Sequence, residues 1–170
     1  MSTGTFMYFA YGSNMSSARL CERCPSAAPV GVAELAGYGL RWHKRSKDGS
    51  GKCDIISISD HGHVFGVLYQ IADSEKQALD RAEGLGYGYK KVNVQVLIDG
   101  TEITANAYQA TDIDESLKPY SWYQALVMAG AKEHGLPQDY IAQLSLITPM
   151  EDSDQNRHNE KMRLVGELLR

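Results

Sequence analysis

Tyr11-Gly12-Ser13-Asn14 follows an apolar run and precedes a helix-like segment. A helix start offers N–H groups without intrahelical partners, together with partial positive charge. A glycine there lets a ligand come close to the backbone. Such a turn suits a carboxylate or phosphate. It equally suits a plain strand, tight turn and capped helix, which is the commoner outcome of this local chemistry. The longer glycine-rich stretch and lysine of a P-loop are missing from it.

Glu83 is the second candidate. Leu79, Ala82 and Glu83 share helical spacing, with Ala78 beside them, while Asp73, Lys76, Gln77, Asp80 and Arg81 fill the other side. A carboxylate at the end of an apolar stripe is partly desolvated, which raises its pKa toward the range useful for proton transfer. The local pattern alone slightly favours a helix-end glutamate turned to solvent. The following Gly84-Leu85-Gly86-Tyr87-Gly88-Tyr89 favours a tight loop beside that carboxylate, with tyrosine hydroxyls within reach.

Other groupings carry less chemistry. Cys21 and Cys24 have redox or zinc spacing, but no second paired cluster exists, and two small residues on one helix is the simpler reading. His61 and His63 could share one side of a strand; without a third ligand they read as a solvated hairpin tip. The five histidines are scattered, with no Ser/His/Asp or Cys/His pairing. Residues 41–52 hold five basic residues and one Asp, a segment able to steer anionic substrates and by default a solvated loop.

The elements that must position these residues follow from periodicity and punctuation. Residues 6–11 read as a buried strand, and residues 15–24 as a short helix with Ser13 or Asn14 as N-cap and Pro25 as its stop. Residues 30–42 are strand-like, broken at Gly37 and Gly39. Residues 54–59 and 63–71 are expected as strands around Asp60-His61-Gly62. Residues 73–82 are expected as a helix with a Ser74/Gln77 capping box and Gly84 in its C-terminal turn. Residues 89–98 and 102–110 form a hairpin around Asp99-Gly100. A helix opened by Ser121 or Pro119 runs to His134 and is closed by Gly135, with Trp122, Tyr123, Leu126 and Val127 on its core face. Pro137 opens a helix over 138–147, ended at Thr148-Pro149. Residues 151–162 are charged and expected to be mobile or to lie over the surface, and 164–169 to dock as a strand or half-turn. Strands first and helices later give an α+β class, with a curled sheet or small mixed β-barrel surrounded by helices.

Composition sets the outer bounds. The 170 residues suit one domain over 1–150 with a charged tail over 151–170. With 17 Lys+Arg against 21 Asp+Glu the net charge is -4, which disfavours nucleic acid and an anionic membrane surface as partners. No apolar run approaches the roughly 20 residues that span a bilayer. Residues 1–5 are short and uncharged, so no secretory signal is expected. Three cysteines argue against a disulfide framework and suit a reducing cytoplasm.

Taken together, Phe9-Ala10-Tyr11-Gly12-Ser13-Asn14, Pro25-Ser26-Ala27-Ala28, Val64-Phe65-Gly66-Val67, Leu79-Asp80-Arg81-Ala82-Glu83-Gly84, Tyr108 and Gly130-Ala131-Lys132-Glu133-His134-Gly135-Leu136-Pro137 resemble the γ-glutamylcyclotransferase family, in the family's order over roughly the first 150 residues. The first and last pieces are the specific ones. Asn14 points away from the glutathione-specific branch, which typically carries Leu there. The resemblance implies a small β-barrel with surrounding helices and release of 5-oxoproline from a γ-glutamyl compound. It implies that Tyr11, Gly12, Ser13 and Asn14 hold the γ-glutamyl moiety, that Glu83 is the acid/base, and that Tyr108 is a pocket residue. The family's tyrosine after the glycine loop aligns with Tyr87 or Tyr89; Tyr89 is the pocket residue adopted. No metal or organic cofactor is implied, and a homodimer is compatible with the family. Cyclotransfer on γ-glutamylamines, removal of a biosynthetic γ-glutamyl protecting group, and a non-catalytic binding domain of the same fold are the rival expectations.

Overall fold

Strands β6 (Tyr89–Ile98) and β7 (Thr101–Ala110) pair in register along their whole length. Asp99 and Gly100 both have positive φ, 49° and 80°, the two-residue turn whose twist matches the strands it joins. Val94 and Val96 face inward while Asn93 and Gln95 face water, the period-2 pattern of a half-buried strand. The computed structural model describes residues 4–169. Within the segment expected to lack a secretory signal, residues 1–3 lie outside the described residues.

The hairpin belongs to a closed barrel with strand order β1-β5-β2-β6-β7. Strand β1 (Thr5–Ala10) is antiparallel to β5 (His63–Ala72), which is antiparallel to β2 (Ala28–Ala36). The parallel pairing of Tyr8 in β1 with Asn106 in β7 closes the ring. Closure removes the open sheet edges that would otherwise invite pairing with another chain. The α+β expectation holds, and of its two forms the barrel is the one adopted.

Strands β3 (Tyr38–Arg45) and β4 (Gly51–Ser57) form a separate two-stranded sheet. The basic segment 41–52 is therefore a hairpin arm and not a solvated loop. Its two strands bury Trp42 and His43 on β3 and Cys53, Asp54 and Ile55 on β4. Asp54 locks the arm to the barrel: one oxygen accepts the Ala110 N–H (2.7 Å) and the other meets His43 Nε2 (2.7 Å). Strands β4 and β5 do not pair with each other, contrary to the hairpin expected around Asp60-His61-Gly62.

Helix boundaries differ from expectation at the start of the chain. The single helix over 15–24 is split into a 3-10 turn, Ser13–Met15, and α1 (Ser17–Arg23), because Ser16 adopts an extended conformation and caps α1 through its side chain. The segment 73–82 likewise begins as a 3-10 turn, Asp73–Glu75, before α2 (Lys76–Ala82); no side chain caps it, so the expected capping box does not form. Helix α3 (Ser121–His134) ends at Gly135 in the left-handed conformation (φ 71°), and α4 (Gln138–Ser145) follows Pro137. The four expected core residues of α3 are all buried. Gly130 of α3 lies directly under the 3-10 turn, where a Cβ would come within 2.8 Å of Met15 Cβ and Ser16 N.

The segment expected as surface chain and a last strand is instead a helix, α5 (Gln155–Leu168), packed on α3. Asp154 caps it, and Val165, Leu164 and Leu168 reach the core. Asp152, nearly fully buried, anchors its start: it accepts from Trp122 Nε1 (2.9 Å) and from Arg157 Nε (2.5 Å) and Nη2 (2.6 Å). Those donors hold its carboxyl well below the ordinary value.

Asp152→Ala leaves the Trp122 and Arg157 donors unpaired. It is expected to lower stability in urea by about 2–3 kcal/mol, the scale of hydrogen bonds to a charged group. The depressed carboxyl contributes stability above its unfolded value of 3.8 that is lost as pH falls toward the folded value. The gap between parent and variant should therefore close in acid.

Candidate active site

The C-terminal ends of β1 and β7 and the start of β6 lie at the same end of the barrel, as the pairings Tyr8–Asn106 and Lys91–Tyr108 require. A pocket opens there, lined by residues of the 11–14 turn and by Tyr8, Cys53, Glu83, Tyr89, Tyr108 and Tyr123. All seven residues singled out in the sequence, Tyr11, Gly12, Ser13, Asn14, Glu83, Tyr89 and Tyr108, border this one space. Of the two alternative tyrosines, Tyr89 is buried at 8 % exposure and lines the pocket, while Tyr87 is 89 % exposed.

The turn is held from two sides. Tyr69 donates its hydroxyl to the Met15 carbonyl (2.7 Å), and Tyr11 donates to the Tyr108 carbonyl. At Gly12 a Cβ would meet the Tyr123 hydroxyl at 3.2 Å and Cys53 Cβ at 3.3 Å, so glycine lets the strand pass between them. Ser13 and Asn14 open the 3-10 turn and have no preceding helical carbonyl for their N–H groups.

Glu83 sits at the C-cap of α2, which ends because Gly84 turns left-handed (φ 69°). Its carboxylate faces the pocket and accepts from Asn14 Nδ2. Asn14 Nδ2 also lies 3.2 Å from the Tyr8 hydroxyl, and Asn14 Oδ1 accepts from Arg23 (3.2 Å). Burial pushes the Glu83 carboxyl up from its ordinary 4.5; Arg23, the Asn14 hydrogen bond and Lys44 pull it partly back. The carboxyl is thereby shifted toward the range where a group both accepts and returns protons near neutrality.

The tyrosines form a stiff wall. Tyr108 stacks edge-on against Tyr8 (5.8 Å between centroids) and Tyr89 (6.4 Å). Tyr108 donates to Asp80 (2.6 Å), itself paired with Lys91 (2.8 Å), and Tyr89 donates to the Cys53 carbonyl (2.7 Å). Burial raises the pKa of Tyr8, Tyr11, Tyr89 and Tyr123 well above 10, so they act as neutral hydrogen-bonding groups. Cys53 is no nucleophile in waiting: burial pushes its thiol up to about 12. Tyr8, Cys53, Tyr123 and Asp80 were not foreseen. Tyr123 reads in sequence as a core residue and Tyr8 as part of a buried strand. The only local hint is that a buried tyrosine hydroxyl needs a partner.

The weaker candidates lie elsewhere. Cys21 and Cys24 are free thiols at α1, and His63 pairs with Glu34 (2.5 Å) on the barrel's outer side. Among the described residues no group of three or more His, Cys, Asp or Glu side chains converges as a metal site, and no helix is long and apolar enough to cross a membrane.

Because the Asn14 hydrogen bond lowers the Glu83 pKa, Asn14→Ala is expected to raise it further. Carboxyl-carbon NMR titration reads this directly; an unchanged Glu83 midpoint would contradict the geometry.

Residues 63–144 match the model of the AIG2-like family. The chain is 37% identical over 151 residues to γ-glutamylcyclotransferase of Bos taurus, covering 85% of this chain and 80% of that one, and equally identical over the same length to that of Homo sapiens. A solved structure described as γ-glutamyl cyclotransferase superposes with a TM-score of 0.85 at 31% identity, covering 96% of this chain and 99% of that chain. Barrel, turn, half-buried glutamate and relatives agree: the chain belongs to the γ-glutamylcyclotransferase family.

Proposed function

We propose that this protein is a γ-glutamylcyclotransferase, converting a small γ-glutamyl compound to 5-oxoproline and a free amine. The observation that carries the reading is the Glu83 carboxyl, half-buried and fixed by Asn14, at the wall of a pocket that the 11–14 turn also lines. The names and fold of its relatives support the same activity.

The substrate brings its own nucleophile. Its α-amine attacks its δ-carbonyl carbon, closing a five-membered ring, and the C–N bond to the leaving amine breaks. Two protons leave the α-ammonium nitrogen and two arrive at the departing nitrogen, so the reaction is proton-neutral overall. One carboxylate that takes and returns protons satisfies that balance, and this is the role assigned to Glu83. Folding the substrate so that amine meets carbonyl supplies much of the rate through proximity. The tyrosine wall and the narrow pocket impose that fold. The N–H groups at Ser13 and Asn14 are assigned to hold the substrate carboxylate or the oxyanion of the tetrahedral intermediate.

Glu83→Gln keeps the shape and the Asn14 contact but cannot shuttle protons. Release of 5-oxoproline from γ-glutamyl dipeptides is expected to fall about 10²–10⁴-fold, the range of general acid–base catalysis. Near-parental turnover would remove Glu83 from the mechanism. The same variant should be more stable than its parent at neutral pH. A half-buried carboxyl with a raised pKa gives its full stability below 4.5, and loses it as pH rises through the folded value. Melting temperatures of the two proteins should coincide in acid and diverge upward of it.

Gly12→Val crowds Tyr123 and Cys53. The strain, about 1–3 kcal/mol for an overpacked site, is expected to weaken 5-oxoproline binding about tenfold or more by calorimetry.

A further inference from the structure

Beside the pocket lies a second, larger chamber, about 180 Å³ against about 40 Å³. The two share Ser13, Asn14, Glu83, Tyr89 and Tyr123, so Glu83 stands where they meet. Arg19 and Arg23 of α1 line the outer space with Lys44 of β3 and Lys52 of β4. Lys161 of α5 lies just outside the lining, its ammonium 5.4 Å from the ring centroid of Trp122, which does line the chamber. This is a dense positive patch on a chain of net charge -4.

Most of that charge is unneutralised. Lys52 pairs with Asp48 (3.2 Å). Among the described residues, Arg19, Arg23, Lys44 and Lys161 have no carboxylate within ion-pair distance. The nearby Glu22, Glu160 and Asp112 act only at longer range. Arg19 Nε is buried and has no hydrogen-bond partner. Aromatic faces hold some ammonium groups in place, Lys44 at 4.7 Å from the Tyr89 centroid and Lys52 at 4.4 Å from that of Trp122, but an aromatic face does not fill their N–H donors. Burial pulls the pKa values of Arg19, Lys44 and Lys161 down, the signature of cations kept partly from water without a counter-charge. One glutamate cannot balance four cations, and leaving cations partly buried without partners is costly unless an anion arrives.

We propose that this chamber is the leaving-group subsite and that it takes an amine carrying two carboxylates, such as a dicarboxylic amino acid. The inference rests on the cyclotransferase reading. The departing nitrogen must reach Glu83, so the γ-glutamyl part fills the inner pocket and the remainder of the substrate extends past Glu83 into the chamber. A single carboxylate brings one negative charge against several unpaired cations and its bidentate contact engages one guanidinium; a second carboxylate brings the charge closer to balance.

The test measures 5-oxoproline released by the full chain from γ-glutamyl-glutamate, γ-glutamyl-alanine and γ-glutamyl-butylamine, whose leaving groups carry two, one and no carboxylates. The expected order of kcat/KM follows that charge, with steps of about tenfold carried mainly by KM and shrinking as salt is added. Lys44→Gln and Lys161→Gln should each lower the ratio of γ-glutamyl-glutamate to γ-glutamyl-butylamine turnover about tenfold. Lys161 is half-buried on α5, so its replacement carries little folding risk, and the ratio cancels any general loss of active protein. Equal kcat/KM for the three compounds, or ratios unmoved in both variants, would overturn the subsite while leaving cyclotransfer standing. Absence of 5-oxoproline from all three would overturn the cyclotransferase reading itself, and the subsite with it.

Discussion

The hydrogen bond from Asn14 to Glu83 joins two parts of the chain that sequence keeps 69 residues apart. One partner belongs to the turn that leaves β1, the other to the end of α2, and the pocket lies between them. Everything around this contact serves to keep it in place. Gly130 lets α3 press directly against the 3-10 turn, Tyr69 pins the Met15 carbonyl, and the left-handed Gly84 stops α2 so that Glu83 faces inward. Arg23 reaches the same asparagine from the other side, so a cation, an amide and a carboxyl form a short chain.

That arrangement sets up opposing demands. Burial favours the protonated carboxyl, while Arg23, Asn14 and Lys44 favour the ionised one. The proposed proton shuttle needs both forms, and the net shift raises the carboxyl above its ordinary value at a cost in stability as pH rises. The tyrosines surrounding it are too strongly buried to ionise, so the pocket offers donors and apolar surface without competing acids. The proposed mechanism asks little more of the protein, because the reacting amine and carbonyl belong to one molecule.

Much of this was legible from local chemistry. The β6–β7 hairpin announced itself through Asp99-Gly100, and α3 through its apolar face and closing Gly135. Tyr11 to Asn14 and Glu83 stood out as unusual punctuation at element ends. Their convergence did not follow from composition or spacing: it came from family resemblance, because closing the barrel depends on the remote pairing of β1 with β7. The arm formed by β3 and β4 was hidden because the segment is rich in basic residues and glycine, and its buried positions include the polar His43 and Asp54. Helix α5 was hidden because it is strongly polar and is tied down by Asp152, a residue outside the helix. The first of those two misread segments contributes Lys44 and Lys52 to the cationic chamber, and the second sets Lys161 against Trp122 at its edge. A net acidic composition concealed a locally positive site.

A crystal structure of the Glu83→Gln protein soaked with γ-glutamyl-glutamate would test the central claim most directly. The account predicts the substrate α-nitrogen or scissile nitrogen within hydrogen-bond distance of the side chain at position 83, with the rest of the molecule leading toward Arg19 and Lys44. A ligand bound at another surface, with the space between the 11–14 turn and residue 83 closed to it, would contradict the account.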